Sequence, residues 1–188
     1  MRAVVQRVAS ASVTVDGKVI SSISRGLMVL VGIGTDDTPT DIDILSNKIL
    51  SLRVFSDASG AMWKTSVKDM AGEVLCVSQF TLLANTTKGN KPDFHRAMSA
   101  ESSRQLYNVF LDKMKRLYVP DRIKDGQFGA MMDVSLTNEG PITFTLDTRK
   151  FEYVTPPNGG GEKKKVKGDS PGSAEPTQST PASPGGES

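Results

Sequence analysis

Two short segments of the chain carry groups that could serve a reaction. The first is Ser78-Gln79-Phe80-Thr81-Leu82, in which two hydroxyl groups and an amide surround an aromatic ring at the end of an apolar run. The second is Thr137-Asn138-Glu139-Gly140-Pro141-Ile142-Thr143, where glycine directly precedes proline between two strand-like stretches. Each segment also has an ordinary structural interpretation, because hydroxyl residues often tie off strand ends and Gly-Pro is frequent in turns. Taken alone, neither segment identifies an activity.

Other chemistries lack the side chains that they require. The chain has one histidine, His95, and one cysteine, Cys76, so the sequence predicts neither a zinc site nor an internal disulfide. Cys76 lies in an apolar run and is interpreted as a small buried residue. A single cysteine also fits a reducing compartment. Neither GxxxxGK[ST] nor GxGxxG occurs, and Gly32-Ile33-Gly34 is interpreted as a turn. We therefore predict no metal and no cofactor.

A serine hydrolase is an alternative that the residues leave open. Ser78, His95 and Asp93 supply the three groups of a Ser–His–Asp triad. However, His95 and Asp93 are only two residues apart, where an aspartate more often caps a helix or is solvated, and no GxSxG elbow is present. The triad is disfavoured on these grounds. A general carboxylesterase that uses Ser78 or Thr81 remains as a competing enzyme.

Strands are predicted from apolar runs and from the turn residues that bound them. Asp16-Gly17 lies between two β-rich flanks and predicts a hairpin with a type I′ turn. The apolar run 26–33 is short enough for a strand buried on both faces, and 73–80 predicts a second core strand. Three further short strands are predicted at 53–55, 129–136 and 142–146, with a turn at 138–141 between the last two.

Two main helices complete the prediction. Thr38, Pro39 and Asp41 have the residue types of a helix N-cap, first position and third position. The apolar residues that follow at helical spacing form one buried stripe, Ile42, Leu45, Ile49 and Leu52. A longer helix is predicted over 99–118, with four residues turned inward, Leu106, Phe110, Met114 and Leu117. About seven strands and two helices predict an α+β fold, in which the helices pack on a largely antiparallel sheet that curls toward a barrel.

The chain divides by composition into a domain, 1–150, and a low-complexity tail, 151–188. Residues 155–188 contain six of the ten prolines, no aromatic residue and only three aliphatic ones, Val166, Ala174 and Ala182. Such a segment buries too little apolar surface to offset its ordering entropy, so the tail is predicted to be disordered. The residues before it are enough for one core.

The charge of the predicted domain permits nucleic-acid contact without requiring it. Residues 1–150 carry 19 basic and 16 acidic side chains, a net charge of +3. A nucleic-acid-binding module without catalysis is therefore a further alternative, which the lysine-rich segment 162–165 also supports. No signal-peptide pattern is present, and no apolar run approaches the roughly 18 residues of a membrane-spanning helix. We expect a cytoplasmic protein with no membrane contact.

In their order and spacing, the two candidate segments resemble the D-aminoacyl-tRNA deacylases. The resemblance covers residues 1–150 and includes Thr-Asn-Glu-Gly-Pro of the second segment and four further motifs: Arg-Ala-Val-Val-Gln-Arg-Val with Ala-Ser-Val, Leu-Val-Gly-Ile, Lys-Pro-Asp-Phe-His and Asp-Gly-Gln-Phe-Gly-Ala-Met-Met. A sister branch, which edits a different mischarged product, departs from Ser-Gln-Phe-Thr in the first motif. Ser78–Thr81 therefore place this chain on the D-specific side. The resemblance does not extend to the tail.

The resemblance implies a homodimer with two active sites at the subunit interface and no other protein partner. Four residues of one subunit would form the catalytic segment of each site: Ser78, Gln79, Phe80 and Thr81. Gly140-Pro141 of the other subunit, joined by a cis peptide bond, would enter that site and select chirality by excluding L-residues. Glycine, which has no side chain to exclude, should then be accepted. Arg7 and Asn138 would support the Gly-Pro segment.

The substrate that the resemblance implies is the aminoacylated 3′ end of tRNA. An aminoacyl ester is already activated, and the vicinal hydroxyl of the terminal ribose can assist attack on its carbonyl. The protein would then supply positioning and oxyanion donors, with the backbone N–H groups near Phe80 and Thr81 as candidates. We favour a positioning role for Thr81, and a nucleophilic role stays open. The candidates for tRNA phosphate contacts are Lys88, Lys91 and Arg96.

Overall fold

The first strand organises the whole sheet, because it pairs with three other strands. In this computed structural model, which describes residues 1–149, β1 spans Arg2–Val15. Its first half pairs antiparallel with β3 (Gly26–Gly32), and its second half pairs antiparallel with β2 (Lys18–Ile23). The other edge of β1 pairs along nearly its whole length with β6 (Asp133–Asp147). Two parallel strands extend the sheet beyond β3, first β4 (Glu73–Ser78) and then β5 (Ile123–Asp125).

The six strands form a mixed sheet that curls into a nearly closed barrel with two helices on its outside. The inner core joins residues from strands that are distant in the sheet, among them Ile23 of β2 and Val77 of β4. The helix-facing core lies on the other face, where Val5, Val29 and other strand residues pack against the helices. Since β3 and β4 contribute to both cores, their sequences are nearly continuous apolar runs.

Both helices begin where the sequence predicts. Helix α1 spans Pro39–Ser51, and the Asp41 carboxylate accepts a hydrogen bond of 2.9 Å from the Thr38 amide, which closes its first turn. Helix α2 spans Ala100–Leu117, and its N-cap Ser99 accepts from the Ser102 amide. Of the residues predicted to face inward, five are buried, namely Ile42, Leu45, Ile49, Phe110 and Met114. The other three, Leu52, Leu106 and Leu117, pack at the edge of the helix-facing core.

The predicted fold class and the β1–β2 hairpin are confirmed. Asp16 and Gly17 adopt φ values of 50° and 74°, as a type I′ turn requires. The sheet is mixed, since the β3–β4 and β4–β5 pairings are parallel. The predicted core strand at 73–80 ends at Ser78, where the chain leaves the sheet.

Two predictions about short strands were wrong. Residues 53–55 form a single bridge between Phe55 and Thr65 instead of a strand. The strands predicted at 129–136 and 142–146 are one strand, β6, which runs through the predicted turn at 138–141. Asn138 explains the continuity, because its side-chain amide donates to the carbonyls of Arg7 and Ile142 at 2.9 and 3.0 Å. These bonds bridge the place where the β1–β6 register shifts.

The predicted tail, 151–188, lies outside the described residues, and so does its lysine-rich segment. Within residues 1–149, no helix is long and apolar enough to span a membrane.

Candidate active site

The Ser78–Leu82 segment marks the point where the chain leaves the sheet. Ser78 ends β4 opposite Val31 of β3, and the next amide, that of Gln79, donates to the Val31 carbonyl at 2.7 Å. The chain then turns into a short 3-10 helix, Phe80–Leu83. This turn projects the Phe80 ring outward, so that 58% of the residue is exposed. The segment therefore presents polar groups and one aromatic ring at the end of a buried strand.

A cavity of about 660 Å³ opens beside this segment. Ser78, Gln79 and Phe80 form part of its wall, and much of the remainder is apolar. The apolar lining comes from strand ends, from the start of α2 and from the loop before β6, and includes Val31, Ile33, Met98, Phe128, Met132 and Val134. A volume of this size and a mostly apolar wall with a few polar groups are typical of small-molecule sites.

Within residues 1–149, no carboxylate or imidazole is hydrogen-bonded to a hydroxyl group of the segment. The Gln79 amide donates to Thr81 Oγ1 at 2.6 Å, so Thr81 accepts from a group that cannot take its proton. Asp93 and His95 do form a pair, with 2.5 Å between Oδ2 and Nδ1. Hydrogen bonds from the His95 amide and ring hold the pKa of the Asp93 carboxyl below its usual value. No hydrogen bond within residues 1–149 joins His95 to Ser78, so only two of the three groups of the disfavoured triad are in contact.

Backbone amides of the 3-10 helix are the remaining polar groups of the segment. The first N–H groups of a helix have no acceptor within that helix. Among the described residues, no acceptor faces the amides of Phe80 and Thr81. Both can therefore donate to an oxyanion.

The loop after this segment carries the predicted phosphate contacts. Phe94 packs edge-on against Phe80 with 5.0 Å between ring centroids, and Asn85 and Asp93 form a bridge at the base of the loop. Three basic residues of this loop are exposed, Lys88, Lys91 and Arg96. The loop therefore holds cationic side chains next to the exposed ring of the candidate site.

Gly140 and Pro141 lie on the surface in the middle of β6. The peptide bond between them is cis, as the resemblance implies. Gly140 has a φ of 121°, and a Cβ on it would lie 2.7 Å from Ile142 Cγ1 and 3.0 Å from the Ile142 nitrogen. Only glycine fits this conformation without a shift of the backbone. The sequence did not reveal this crowding.

Arg7 and Asn138, the two candidate supporting residues, contact residues that flank this segment. Asn138 joins the Arg7 carbonyl to the Ile142 carbonyl through its side-chain amide. The Arg7 guanidinium donates to the Val54 carbonyl at 2.7 Å and lies 3.3 Å from Glu139 Oε2. Both residues therefore connect the Gly140-Pro141 segment to β1 and to the chain after α1.

The two candidate segments are far apart within one chain. Ser78 pairs with Val31, and Val31 pairs with Ala3, whereas Asn138 pairs with Val8. Gly140 and Pro141 lie between the pairs Val8–Asn138 and Gln6–Thr143, so they are three to five residues from Ala3 along β1, which corresponds to about 10–16 Å along the strand direction. Accordingly, neither Gly140 nor Pro141 lines the cavity.

Residues of the cavity outside the two segments were not predicted as site residues. Phe128 and Met132 belong to the loop between β5 and β6, and Met98 precedes α2. The loop did offer a signal: one phenylalanine and two methionines stand in a short stretch with two glycines, although part of it, 129–132, was predicted as a strand. Large apolar residues in such a loop need a partner surface, and here they line the cavity.

A family model and several relatives of this chain are named for the deacylation of tRNA. Residues 4–147 match the family model described as D-Tyr-tRNA(Tyr) deacylase. A D-aminoacyl-tRNA deacylase of Candida glabrata is 55% identical over 148 residues, which cover 79% of this chain and 99% of that relative. The D-aminoacyl-tRNA deacylase 1 of Homo sapiens is 53% identical over 148 residues, covering 79% of this chain and 70% of that protein.

A solved structure is also similar over the same part of the chain. The c-Myc DNA Unwinding Element Binding Protein has a TM-score of 0.76 at 53% identity, and the match covers 78% of this chain and 98% of that chain. Residues 4–147, which the family model matches, include the cavity, the Ser78–Leu82 segment and the Gly140-Pro141 segment.

Proposed function

Because the chain belongs to the D-Tyr-tRNA(Tyr) deacylase family and is a hydrolase of D-aminoacyl-tRNA, we propose that its cavity beside Ser78–Phe80 is where the ester is cleaved. Water adds to the ester carbonyl, and the bond to the terminal ribose breaks. The products are the free D-amino acid and tRNA. The observation that carries this proposal is the apolar cavity of about 660 Å³ that opens beside the only exposed aromatic ring of the family-matching segment 78–82.

The complete site needs two subunits. Within one chain, the cavity segment and the Gly140-Pro141 segment are separated by about 10–16 Å along the strand direction alone, which is too far for both to contact one amino acid. Gly140 and Pro141 are exposed, so they are accessible to a second copy of the chain. A homodimer with two-fold symmetry would bring each Gly140-Pro141 segment to the partner's cavity and would form two equal sites.

Chirality is selected by exclusion. Mirror-image amino acids carry the same functional groups, so attraction to those groups alone cannot distinguish them. The backbone carbonyls of Gly140 and Pro141 form a wall without flexible side chains, which can hold the α-amino group of a D-residue and collide with the side chain of an L-residue. Glycine has no side chain to collide and is accepted as a substrate.

Catalysis relies on the RNA and on the protein backbone. Thr81 Oγ1 accepts a hydrogen bond from Gln79 and, among the described residues, is bonded to no carboxylate or imidazole, which supports a positioning role over a nucleophilic one. The vicinal hydroxyl of the terminal ribose assists the attack of water, and the amides of Phe80 and Thr81 stabilise the oxyanion. Lys88, Lys91 and Arg96 contact phosphates near the 3′ end and position the tRNA without reading its sequence.

The test is a deacylation assay on tRNA charged with D-tyrosine, run beside the same tRNA charged with L-tyrosine. We expect fast release of D-tyrosine and only slow release of L-tyrosine. Equal cleavage of both substrates would favour a general carboxylesterase. A second arm uses D-tyrosyl-tRNA with a 2′-deoxy terminal adenosine, which should be hydrolysed poorly while Thr81→Ala keeps substantial activity. The opposite pair of results would assign the chemistry to Thr81.

Binding of nucleic acid without hydrolysis is the second candidate function. One observation favours it: the similar solved protein is named as a binder of a DNA unwinding element. The assay above separates the two functions, because a binding module would retain charged tRNA and release no amino acid.

A further inference from the structure

Glu139, the residue directly before Gly140, is held by two arginines from other parts of the chain. Arg25 makes two contacts with it, from Nε to Oε2 at 3.2 Å and from Nη2 to Oε1 at 3.1 Å. Arg7 approaches Oε2 with its Nε at 3.3 Å. The Arg25 pair is bidentate, so it fixes the direction of the carboxylate as well as its position.

The two arginines share one support. Their guanidinium groups lie over the ring of Phe55, with 5.9 Å from Arg7 and 5.5 Å from Arg25 to the ring centroid. Phe55 is fully buried in the helix-facing core, so its ring cannot move aside. Each arginine therefore has a cation–π contact beneath it and a carboxylate beside it.

Arg25 is anchored through its backbone as well. It lies in the turn between β2 and β3, and its carbonyl accepts a hydrogen bond of 3.3 Å from the Glu73 amide at the start of β4. The next residue, Gly26, is packed so closely on Glu73 that a Cβ would lie 1.8 Å from the Glu73 carbonyl oxygen. The turn that carries Arg25 is thus fixed to the sheet.

Net stability is a poor explanation for this arrangement. The Arg25 side chain is 50% exposed and the Glu139 side chain 31% exposed, and ion pairs at such sites contribute little to folding. What the pair adds is orientation, because the plane of a guanidinium matches the plane of a carboxylate. On the other side of Glu139, Asn138 fixes the backbone through its bonds to the Arg7 and Ile142 carbonyls. The residues directly before Gly140 are therefore held by both backbone and side-chain contacts.

We propose that Arg25 is a positioning residue for chiral discrimination, which acts through Glu139 on the direction of the Gly140 and Pro141 carbonyls. This inference rests on the proposed function, in which these carbonyls form the wall that excludes L-residues. Arg25 does not contact the substrate. Its loss leaves the cavity and the polar groups of Ser78–Thr81 intact, so cleavage persists. The Gly140 and Pro141 carbonyls become less fixed in direction, and an L-residue is accepted more readily.

The test compares Arg25→Gln, Arg25→Lys and Glu139→Gln with the wild-type enzyme on D-tyrosyl-tRNA and L-tyrosyl-tRNA. The measured quantity is the ratio of kcat/KM values for the two substrates. We expect Arg25→Gln to lower this D/L ratio about tenfold, as the loss of one partly exposed bidentate pair would, with a smaller change in kcat for the D-substrate. Arg25→Lys keeps the positive charge but loses the planar guanidinium that makes the bidentate contact. Its D/L ratio should therefore lie between those of Arg25→Gln and the wild type.

Two further variants make the result specific. Glu139→Gln leaves the cation–π contact of Arg25 in place and should lower the ratio as much as Arg25→Gln, and the double variant should be no worse than either. Arg116→Gln is the matched control, because Arg116 is an exposed arginine of α2 that bonds its side chain only to the Asp112 carbonyl. Its ratio should equal that of the wild type. If Arg25→Gln does not fold, Glu139→Gln decides the question.

An unchanged D/L ratio in Arg25→Gln and Glu139→Gln would overturn the inference, and so would an equal loss of rate on both substrates, which indicates a merely structural role. These outcomes are distinct from a failure of the proposed function, which would appear as a wild-type enzyme that does not hydrolyse D-tyrosyl-tRNA.

Discussion

Replacing Gly140 by alanine perturbs the proposed chiral wall at a single atom. Gly140 has a φ of 121°, which L-residues rarely adopt, and a strained residue of this kind costs about 1–3 kcal/mol. The added Cβ would lie 2.7 Å from Ile142 Cγ1 and 3.0 Å from the Ile142 nitrogen. The nitrogen belongs to the backbone and cannot rotate away. The segment must therefore shift by a few tenths of an ångström.

Both stability and rate should respond to this shift. A cost of about 2 kcal/mol in a chain of this size corresponds to a decrease in Tm of about 4–8 °C. Displacement of a positioning group by part of an ångström should lower kcat/KM for D-tyrosyl-tRNA by about tenfold to a hundredfold. Differential scanning calorimetry measures the first effect, and single-substrate deacylation kinetics measure the second.

Gly60→Ala is the matched control for this prediction. Gly60 also has a positive φ, 83°, but nothing lies within 4 Å of its added Cβ, and it is in a turn that we assign no role in the site. This variant should lose some stability and no activity. A Gly140→Ala enzyme with the wild-type rate would refute the argument that Gly140 positions the wall. An equal loss of activity in Gly60→Ala would show that general destabilisation causes the effect.

Three further predictions concern other parts of the chain. Truncation after Lys150 should leave Tm and the deacylation rate nearly unchanged, because the predicted tail is too polar to pack, and a fall of several degrees would contradict that interpretation. The triple variant Lys88→Ala, Lys91→Ala and Arg96→Ala should bind tRNA more weakly, with a salt slope shallower by about 2–3, and an unchanged slope would place the RNA surface elsewhere. Burial raises the pKa of Asp41, but hydrogen bonds from Thr148, at 2.5 Å, and from Thr38 outweigh it and lower the pKa from 3.8 to about 2. A lowered carboxyl pKa stabilises the fold above about pH 4, and this contribution is lost as the pH falls toward 2. Thr148→Val should therefore be less stable than the wild type by about 1 kcal/mol at pH 7. In urea titrations at pH 2 the difference should be smaller.

Local signals account for the parts of the fold that the sequence predicts well. The turn residues Asp16 and Gly17 determine the hairpin, and Thr38, Pro39 and Asp41 determine the start of α1. Such signals act between residues a few positions apart, so they can be identified in one sequence. The two strands that were wrongly separated by a turn illustrate the limit. Asn138 keeps β6 continuous by bonding to Arg7, a residue 131 positions away.

The candidate site likewise combines residues that local patterns identify with residues that only the fold brings together. The segments Ser78–Thr81 and Gly140-Pro141 could be selected from the sequence because each groups unusual residues within a few positions. Phe128 and Met132 reach the cavity from a loop whose path depends on the closure of the sheet. Arg25 and Glu139 are 114 residues apart, so no local pattern joins them. Pairings of this kind follow from the three-dimensional fold and could not be predicted from residue spacing.

The burial of Cys76 is one prediction that the structure confirms directly. The side chain is fully buried, and burial raises the pKa of its thiol to about 12. The thiol therefore takes no part in the chemistry of the site, in agreement with its interpretation as a small apolar residue.

The central claim is that one active site combines the cavity of one subunit with the Gly140-Pro141 segment of its partner, and subunit mixing tests it most directly. One variant, Ala97→Trp, fills the cavity, and the other, Pro141→Ala, alters the inserted segment; each alone should be nearly inactive. When equal amounts are unfolded together and refolded, half of the dimers carry one variant of each kind, and one of their two sites combines an intact cavity with an intact segment. The account predicts that the mixture recovers about a quarter of the wild-type rate on D-tyrosyl-tRNA. A mixture no more active than its two components measured separately would contradict a site shared between subunits.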